Sequence, residues 1–233
     1  EAAEAEALAV ALAPTFATSG DIRILDAQTW NLRLSAPAPA FPEFSQALGR
    51  ALAPLPASTD HAPWRRALNE AQMVLHAHPV NRAREAAGKP LVNSLWPWGG
   101  GRLPARTACR HDSVWSSDAV IRGLALAQGI DAEFLPSSFR KPPGSSTLAL
   151  FDDLAAPAKL GDALAWRDAL ASLEAAWLAP ALAAIRSGEL DALCLLAPGE
   201  RNSVEFVIRR SDLWKFWRKP RALMDAFAAT ESR

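Results

Sequence analysis

Residues 68–101, LNEAQMVLHAHPVNRAREAAGKPLVNSLWPWGGG, decide the predicted fold, because a helical pattern is followed here by a predicted strand end and three consecutive glycines. Three consecutive glycines cannot form the centre of a helix or strand, since backbone freedom is lost there without any gain in packing. After an apolar segment, such a run lets the chain turn sharply and lets backbone N–H groups approach a bound partner closely. We therefore expect a binding site in this stretch.

The middle of the stretch, HPVN, marks the end of a helix that we predict to begin at Pro63, a position in the first helical turn where proline is tolerated. Pro79 stops that helix, and Asn81 can turn back to cap its neighbours. The motif is either a helix terminator or part of a site, and both interpretations stay open. His76 and His78 are two residues apart, so on a helix they cannot share a metal ion.

The end of the stretch has the composition of an anion site. Amides of Gly99, Gly100 and Gly101, the guanidinium of Arg102 and the side chain of Asn93 are suited to an anionic group. The pattern is neither a Walker loop nor a Rossmann fingerprint. The alternative is that the glycines only allow close packing of two neighbouring tryptophans.

Composition limits the function classes. The 233 residues are 50% hydrophobic, enough for one large or two small domains, and 25 basic residues balance 25 acidic ones. That balance argues against nucleic acid or an acidic membrane as partner. Cys109 and Cys194 stand alone, which favours reduced, mostly buried thiols and a cytoplasmic protein. No apolar run approaches the ~20 residues of a membrane-spanning helix, and the acidic first turn is unlike a signal peptide.

The first 88 residues are predicted to form a small α+β domain with the order helix, hairpin, helix. The first helix covers residues 1–13 and is ended by Pro14 and the Thr18-Ser19-Gly20 cluster. The two strands alternate within residues 21–35, with a turn near Asp26. A short helix is expected over residues 44–52. Ser58, Thr59 and Asp60 are candidate N-caps for the next helix, and residues 81–87 are expected to be exposed.

Residues 89–233 are predicted to form an α/β core with some parallel strands and a basic, tryptophan-bearing tail. The pattern predicts a strand over residues 91–98, a serine-capped helix over 117–128, and strands over 131–135 and 147–151. A long helix is predicted over residues 163–187, with Leu164, Trp177, Leu178 and Ile185 in the core. A buried strand in DALCLLA and an edge strand over 204–210 follow it. We expect the tail around Trp214 and Trp217 to dock its apolar face on the domain.

Two further groups carry chemistry-bearing residues. Residues 110–113 (RHDS) contain acid–base types, but adjacent residues rarely converge on one substrate, so a turn is favoured. Asp152 and Asp153 follow an apolar run, where metal-binding carboxylates sit in many α/β proteins. A two-metal centre is nevertheless not expected, because the sequence has no histidine after His111.

The central stretch resembles the archaeal-type cofactor-independent phosphoglycerate mutases of the alkaline phosphatase superfamily. Members carry "HPVN..R...G" followed by "(A/V)NS.W.WG.G..P", and the matching residues here are His78, Pro79, Val80, Asn81, Arg84, Gly88, Val92, Asn93, Ser94, Trp96, Trp98, Gly99, Gly101 and Pro104. The match is good over residues 60–131. A degenerate bacterial branch of that family, described as RpfE-type regulatory proteins, is similar also in the closing segment RRSDLWKFWRKP.

The resemblance implies an alkaline-phosphatase-like mixed sheet flanked by helices, with a small α+β insert domain. Family members hold two metal ions with aspartates and histidines near a serine nucleophile, and those positions do not carry over to this chain: LFDDLAAPAKLGD and LLAPGERNS replace the ligand segments, and a nucleophile segment would precede Glu1. Losing the metal ligands would remove most of the driving force of that chemistry. What the resemblance leaves is an anion-binding face made of Asn81, Arg84, Asn93, Gly99, Gly100, Gly101 and Arg102, with Arg110 and Arg122 as weaker additions.

We therefore predict a mutase-like protein that has lost metal-dependent catalysis and acts as a regulatory or ligand-binding protein. It would need no cofactor, and its partner would be a small anion or a protein. The alternative is an active phosphoglycerate mutase or phosphatase that uses manganese or zinc and a nucleophile in a preceding segment. A third possibility is an interaction module that binds through the Trp214–Trp217 tail. The oligomeric state does not follow from the sequence.

Overall fold

The protein is an α/β protein, as predicted, with helices packed around small sheets. The computed structural model describes residues 1–48, 61–106, 109–199, 203–215 and 217. Within these residues the strands form one antiparallel pair near the N-terminus, one parallel three-stranded sheet, and a second antiparallel pair near the C-terminus. The helices lie between and against these sheets.

Helix α1 spans Ala2–Phe16, so the prediction that Pro14 ends it is wrong. Pro14 lies in the last turn, where a missing N–H removes only one helical hydrogen bond. Burial of Phe16, which is 4% exposed, holds this last turn in place. After the helix, the Ser19 amide donates to the Phe16 carbonyl at 2.8 Å and closes a turn.

The predicted hairpin is confirmed as strands β1 (Gly20–Ile24) and β2 (Trp30–Leu34), paired antiparallel. Asp26 makes the turn, because its Oδ1 accepts from the amides of Gln28 at 2.8 Å and Thr29 at 2.7 Å. The strands alternate between exposed and half-buried residues, so one face packs on α1.

Three helices follow the hairpin. The predicted helix over residues 44–52 is present as the short α2 (Phe44–Ala47); the remainder, and the capping candidates Ser58, Thr59 and Asp60, lie outside the described residues. Helix α3 spans Ala62–Ala77 and has its proline in the first turn, as predicted. Helix α4 spans Pro79–Ala86, with His78 as the junction. The first hydrophobic core lies between α1, α3 and the hairpin, built from Leu8, Leu12, Phe16, Trp64, Ala71 and Leu75.

The strand predicted over residues 91–98 is absent: residues 89–98 have no regular structure. Pro90 and Pro97 cannot donate to a ladder, and the backbone of Val92 is already paired with a side chain of α4. Val92 and Leu95 pack against the first core. The division into domains at residue 88 stays a prediction.

The parallel sheet begins at β3 (Ser113–Ser116), which the sequence interpretation missed by predicting a turn over residues 110–113. β3 is the central strand, with parallel partners β4 (Asp131–Glu133) and β5 (Thr147–Leu150) on either side. The predicted strands over 131–135 and 147–151 and the predicted parallel pairing are thus confirmed. Helix α5 (Ala119–Ala127) connects β3 to β4.

Helix α5 is capped by Asp118, not by a serine. Asp118 Oδ1 accepts from the amides of Val120 at 2.7 Å and Ile121 at 3.3 Å. The buried Ser116 hydroxyl instead accepts from the amide of Asp118 itself, at 3.0 Å. At the other end Gly129 takes a φ of +78°, the glycine stop that was predicted.

The long helix predicted over residues 163–187 is confirmed, but it contains a π-helical turn. α6 (Ala155–Leu160) precedes it, and the helix itself consists of α7 (Ala163–Leu173), the π-turn Glu174–Leu178 and α8 (Ala179–Ser187). The π-turn leaves the Ala176 carbonyl free to accept from Phe139 N at 2.8 Å.

Trp177, on the π-turn, is the centre of a second core, with edge-to-face contacts to Trp115, Phe139 and Phe151. Ile185 is fully buried, as predicted, whereas Leu164 is 66% exposed and is not a core residue. By length and hydropathy alone this helix is the one described element that could cross a membrane. Only 22% of its most apolar window is buried within the described residues.

The last sheet pairs β6 (Ala192–Pro198) with β7 (Ser203–Arg209). β7 matches the predicted edge strand, but β6 is not buried on both faces: its residues alternate between exposed and half-buried. Both cysteines are exposed, contrary to the expectation of buried thiols. The 3₁₀ turn Arg210–Trp214 follows. Trp214 and Trp217 are exposed, contrary to the predicted docking of these two side chains, and residues 216 and 218–233 of the tail lie outside the described residues.

Candidate anion-binding site

The glycine segment, defined here as Gly99, Gly100, Gly101 and Arg102, lies exposed at the surface. Gly99 has a φ of +66°, a left-handed conformation that residues with a Cβ rarely adopt. A Cβ at Gly99 or Gly101 would meet no atom within 4 Å, so the glycines are not required for close packing of the tryptophans. Gly100 passes beside Ala38, 3.7 Å from where its own Cβ would be.

The hydrogen-bond donors of the glycine segment are available. Within the part of the chain that the structure describes, none of its four backbone amides donates to another group, and the Arg102 guanidinium has no ion pair or hydrogen bond. Unpaired amides next to an arginine are what an oxyanion requires, because amides supply directed dipoles and the guanidinium supplies charge. The exposed Asn93 side chain also has no partner among these residues.

The surrounding sequence is cationic although the chain as a whole is neutral. No Asp or Glu occurs between Glu85 and Asp112. Lys89 is not available to a ligand, because its Nζ is 2.8 Å from Glu1 Oε1, a contact that raises the pKa of Lys89. The guanidinium of Arg106 lies at the C-terminal end of α5, 3.7 Å from the position of a Cβ on Gly129, where a positive charge complements the helix dipole.

Asn81 is 3% exposed and points into the protein, so the expectation of an exposed α4 is wrong at this residue. Its Nδ2 donates to the carbonyls of Leu75 at 2.7 Å and Val92 at 2.8 Å, and its Oδ1 accepts from Val92 N at 2.9 Å. Of the two interpretations of HPVN, the helix terminator describes Pro79, because Pro79 lacks the N–H that would bond to the Leu75 carbonyl. That carbonyl accepts instead from His78 N at 3.1 Å and from Asn81 Nδ2.

Arg84 is also engaged in internal contacts. Its Nε donates to the Pro90 carbonyl at 2.7 Å, and its Nη1 contacts Glu4 Oε2 at 2.8 Å. The structure therefore places Asn81 and Arg84 behind the segment that carries the glycines, and Asn93 and the glycine segment at the surface.

The two weaker candidates differ from each other. Arg110 is exposed. Arg122 donates through Nη1 to the Ser116 carbonyl at 2.7 Å, and its guanidinium stacks 3.8 Å from the centre of the Phe134 ring, at the carboxyl end of the parallel sheet. Arg122 is thus held by the sheet and does not contact the glycine segment.

A polar cluster that the sequence interpretation missed joins β3 to the loop before β5. Asp112 Oδ2 accepts from the Ser145 hydroxyl and from the amides of Ser145 and Ser146, and these bonds lower the pKa of Asp112. His111 Nδ1 is 2.9 Å from Ser146 Oγ. Nothing in the local sequence signals this cluster, since its halves are more than thirty residues apart.

The described residues do not fit a two-metal centre. Asp152 and Asp153 follow β5 as predicted and are exposed, but no group of three or more His, Cys, Asp or Glu side chains lies close enough to hold a metal ion in the ranges that the structure describes. A hard divalent cation requires several such oxygen or nitrogen ligands at once. No reaction step through a metal ion is therefore derived for these residues.

Fold and site together define an α/β protein with an exposed, cationic glycine segment. Part of the chain is similar to 2,3-bisphosphoglycerate-independent phosphoglycerate mutases: it is 41% identical over 63 residues to a probable enzyme of that name from Geobacter sulfurreducens, which covers 27% of this chain and 16% of that protein. It is 32% identical over 82 residues to the enzyme from Methanosarcina mazei, 33% of this chain and 21% of the enzyme. It is also 41% identical over 63 residues to the enzyme from Methanopyrus kandleri, a match that covers 27% of this chain and 15% of that enzyme.

The similarity supports the predicted relationship to these mutases, over a minority of the chain. The matches span about a fifth or less of the length of these relatives. No protein-family model and no solved structure matches the chain.

Proposed function

We propose that this mutase-like protein binds a small phosphorylated or carboxylated anion on the glycine segment and does not carry out metal-dependent catalysis with the described residues. The observation that carries the proposal is the set of unpaired donors at Gly99–Arg102: four free amides and one free guanidinium in a stretch without acidic residues. The relatives are named for phosphoglycerate, which carries both a phosphate and a carboxylate.

Physical chemistry favours such an anion over a neutral ligand. Charge-assisted hydrogen bonds contribute about 1.5–3 kcal/mol each, and a guanidinium can make two of them to one oxyanion. Gly99 has a left-handed φ of +66°, a conformation that occurs in the backbone nests that bind anions. The site is exposed, so salt should weaken binding.

The test is to titrate the full chain with 3-phosphoglycerate and with inorganic phosphate by calorimetry. Arg102→Ala is expected to weaken binding about tenfold, equivalent to ~1.4 kcal/mol. Arg23→Ala is the matched control, since it removes the same charge from an exposed position on the N-terminal hairpin. Equal affinities for wild type and Arg102→Ala would contradict the proposal.

The partial similarity favours one alternative, an active metal-dependent phosphoglycerate mutase or phosphatase whose nucleophile and metal ligands lie outside this sequence. Metal analysis of the complete protein, together with an assay for interconversion of 3- and 2-phosphoglycerate, separates the two. Stoichiometric manganese or zinc with turnover would overturn the non-catalytic proposal. Absence of both, with anion binding retained, supports it.

The remaining parts of the proposal concern cellular role. A regulatory function like that of the RpfE-type branch, a cytoplasmic location, and a small anion or protein as partner, with neither nucleic acid nor a membrane, are proposals that follow from the resemblance and the neutral charge. Co-purification from the source organism with and without the Arg102→Ala substitution tests the protein partner, because a partner that uses the same site is lost with the anion.

A further inference from the structure

Asn81 and Arg84, here called the α4 clasp, hold the chain just before the glycine segment. Asn81 pairs with both backbone groups of Val92, as a neighbouring strand would. Arg84 Nε donates a hydrogen bond to the carbonyl of Pro90, two residues before Val92. Two side chains from successive turns of α4 thus fix the backbone of residues 90–92.

The clasp is anchored at its other end to two helices. The Asn81 amide also bonds to Leu75 at the end of α3, and the Arg84 guanidinium also bonds to Glu4 in the first turn of α1. Asn81 is 3% exposed, so its bonds are formed away from water, where losing them is costly. Residues 90–92 are therefore tied to the helical framework of the first core.

The rest of the segment has weaker attachments. Between Val92 and Gly99 the polar contacts to other parts of the described chain are Gln72 Nε2 to Ser94 Oγ at 3.4 Å and Trp96 Nε1 to the Pro42 carbonyl at 2.9 Å, both at the surface, and Ser94 Oγ also donates to the neighbouring Leu95 carbonyl at 3.2 Å. No strand ladder fixes this part of the chain. Its starting point is set by the clasp, and seven residues later the chain reaches the free amides at Gly99.

We propose that Asn81 and Arg84 are positioning residues of the anion site: they do not contact the anion but fix residues 90–92, and so hold the Gly99–Arg102 amides in a binding conformation. This inference rests on the proposed function and changes the role of the two residues within it. A preorganised segment loses less conformational entropy on binding than a free one. Releasing the clasp should weaken binding although every group that meets the anion is retained.

Two conservative variants release the clasp. Asn81→Asp keeps size and the acceptor for Val92 N but removes both donated bonds. Arg84→Lys keeps the positive charge near Glu4, but the lysine ammonium lacks the planar guanidinium that bonds to Glu4 and to the Pro90 carbonyl at the same time. Ile185→Ala is the control for a buried substitution that removes none of the bonds of the clasp, because Ile185 is fully buried on α8.

All variants are compared at 10 °C under conditions where circular dichroism shows them folded, with two measurements: the affinity for 3-phosphoglycerate, and hydrogen exchange of the amides of residues 91–102. We expect the clasp variants to bind about tenfold more weakly and to exchange these amides at least tenfold faster, and Ile185→Ala to match wild type in both. If the clasp variants match Ile185→Ala in both measurements, the positioning role is wrong.

The two proposals fail in different ways. If the wild-type chain binds neither 3-phosphoglycerate nor phosphate, the proposed function is overturned, whatever the exchange rates are. If it binds but exchange in residues 91–102 is unchanged in the clasp variants, the anion site stands and the clasp does not position it. Weaker binding with unchanged exchange would assign Asn81 or Arg84 to direct contact with the anion and would also overturn the positioning role.

Discussion

At the scale of single residues, Gly99 and Gly101 provide an internal comparison within one glycine run. Both have open space where a Cβ would be, but only Gly99 has a positive φ. The two positions therefore differ in backbone conformation and not in the space available for a side chain. The resulting cost falls on the left-handed residue alone.

We predict that Gly99→Ala lowers the free energy of unfolding by about 1 kcal/mol, the cost of a left-handed conformation for a residue with a Cβ. Gly101→Ala should leave it unchanged or raise it slightly, because alanine restricts the unfolded chain. Urea titration followed by circular dichroism measures both. Equal effects of the two substitutions would show that the turn at Gly99 relaxes in solution.

Asp112 gives a prediction for pH. Hydrogen bonds from the Ser145 hydroxyl and from the Ser146 and Ser145 amides lower its pKa below the ordinary value of 3.8, so the folded state binds this proton less readily than the unfolded chain. The associated stability is present above the unfolded pKa and is lost as pH falls through the folded pKa.

We therefore expect the melting temperature of wild type to fall more steeply than that of Asp112→Asn as pH is lowered from 5 to about 2. Glu1 and Glu4 also have lowered pKa values, so the comparison between the two proteins, and not the wild-type curve alone, isolates Asp112. Parallel curves for the two proteins would mean that the bonds to the serine loop do not persist in solution.

At the scale of elements, the cap of α5 can be tested directly. Asp118→Ala removes both side-chain bonds to the first-turn amides and should cost about 1 kcal/mol. Ser117→Ala, one residue earlier and exposed, should cost close to nothing. Thermal unfolding of the two variants decides between the aspartate found in the structure and the serine expected from the sequence. The serine is the cap if its substitution is the more harmful.

Elements with a local signal were predictable from the sequence. The hairpin was found because alternation and the Asp26 turn lie within fifteen residues, and the long helix was found because its apolar spacing extends over seven turns. The stretch 91–98 was mistaken for a strand because alternation alone does not show what pairs with the backbone. Here that partner is one side chain, Asn81, which replaces a neighbouring strand.

For the candidate site, the sequence predicted residue types, whereas exposure and contacts came from the structure. Gly99, Gly100, Gly101 and Arg102 lie at the surface. Asn81 and Arg84 were grouped with them because the resemblance placed them in one motif. Their burial and their contacts with α1, α3 and residues 90–92 are tertiary facts, which no spacing in the sequence could show.

At the scale of the whole molecule, the described residues contain two hydrophobic centres. The first lies between α1, α3 and the N-terminal hairpin around Leu12 and Leu75, and the second lies at the parallel sheet around Trp177, on the long helix that also carries the buried Ile185. The irregular residues 89–106 connect the elements of the first centre to those of the second. This arrangement predicts that each centre unfolds as its own cooperative unit.

The prediction is tested by one large-to-small substitution in each centre. Leu75→Ala and Ile185→Ala both truncate fully buried side chains and should each cost about 2–5 kcal/mol in the unit that contains them. In calorimetry, Leu75→Ala should lower the melting temperature of one transition and Ile185→Ala that of the other. If both substitutions shift one common transition, the two centres form a single cooperative domain, and the predicted division of the chain near residue 88 is wrong. Leu164→Ala is the control. Leu164 lies on the same long helix as Ile185 but is 66% exposed, so its substitution should leave both transitions in place.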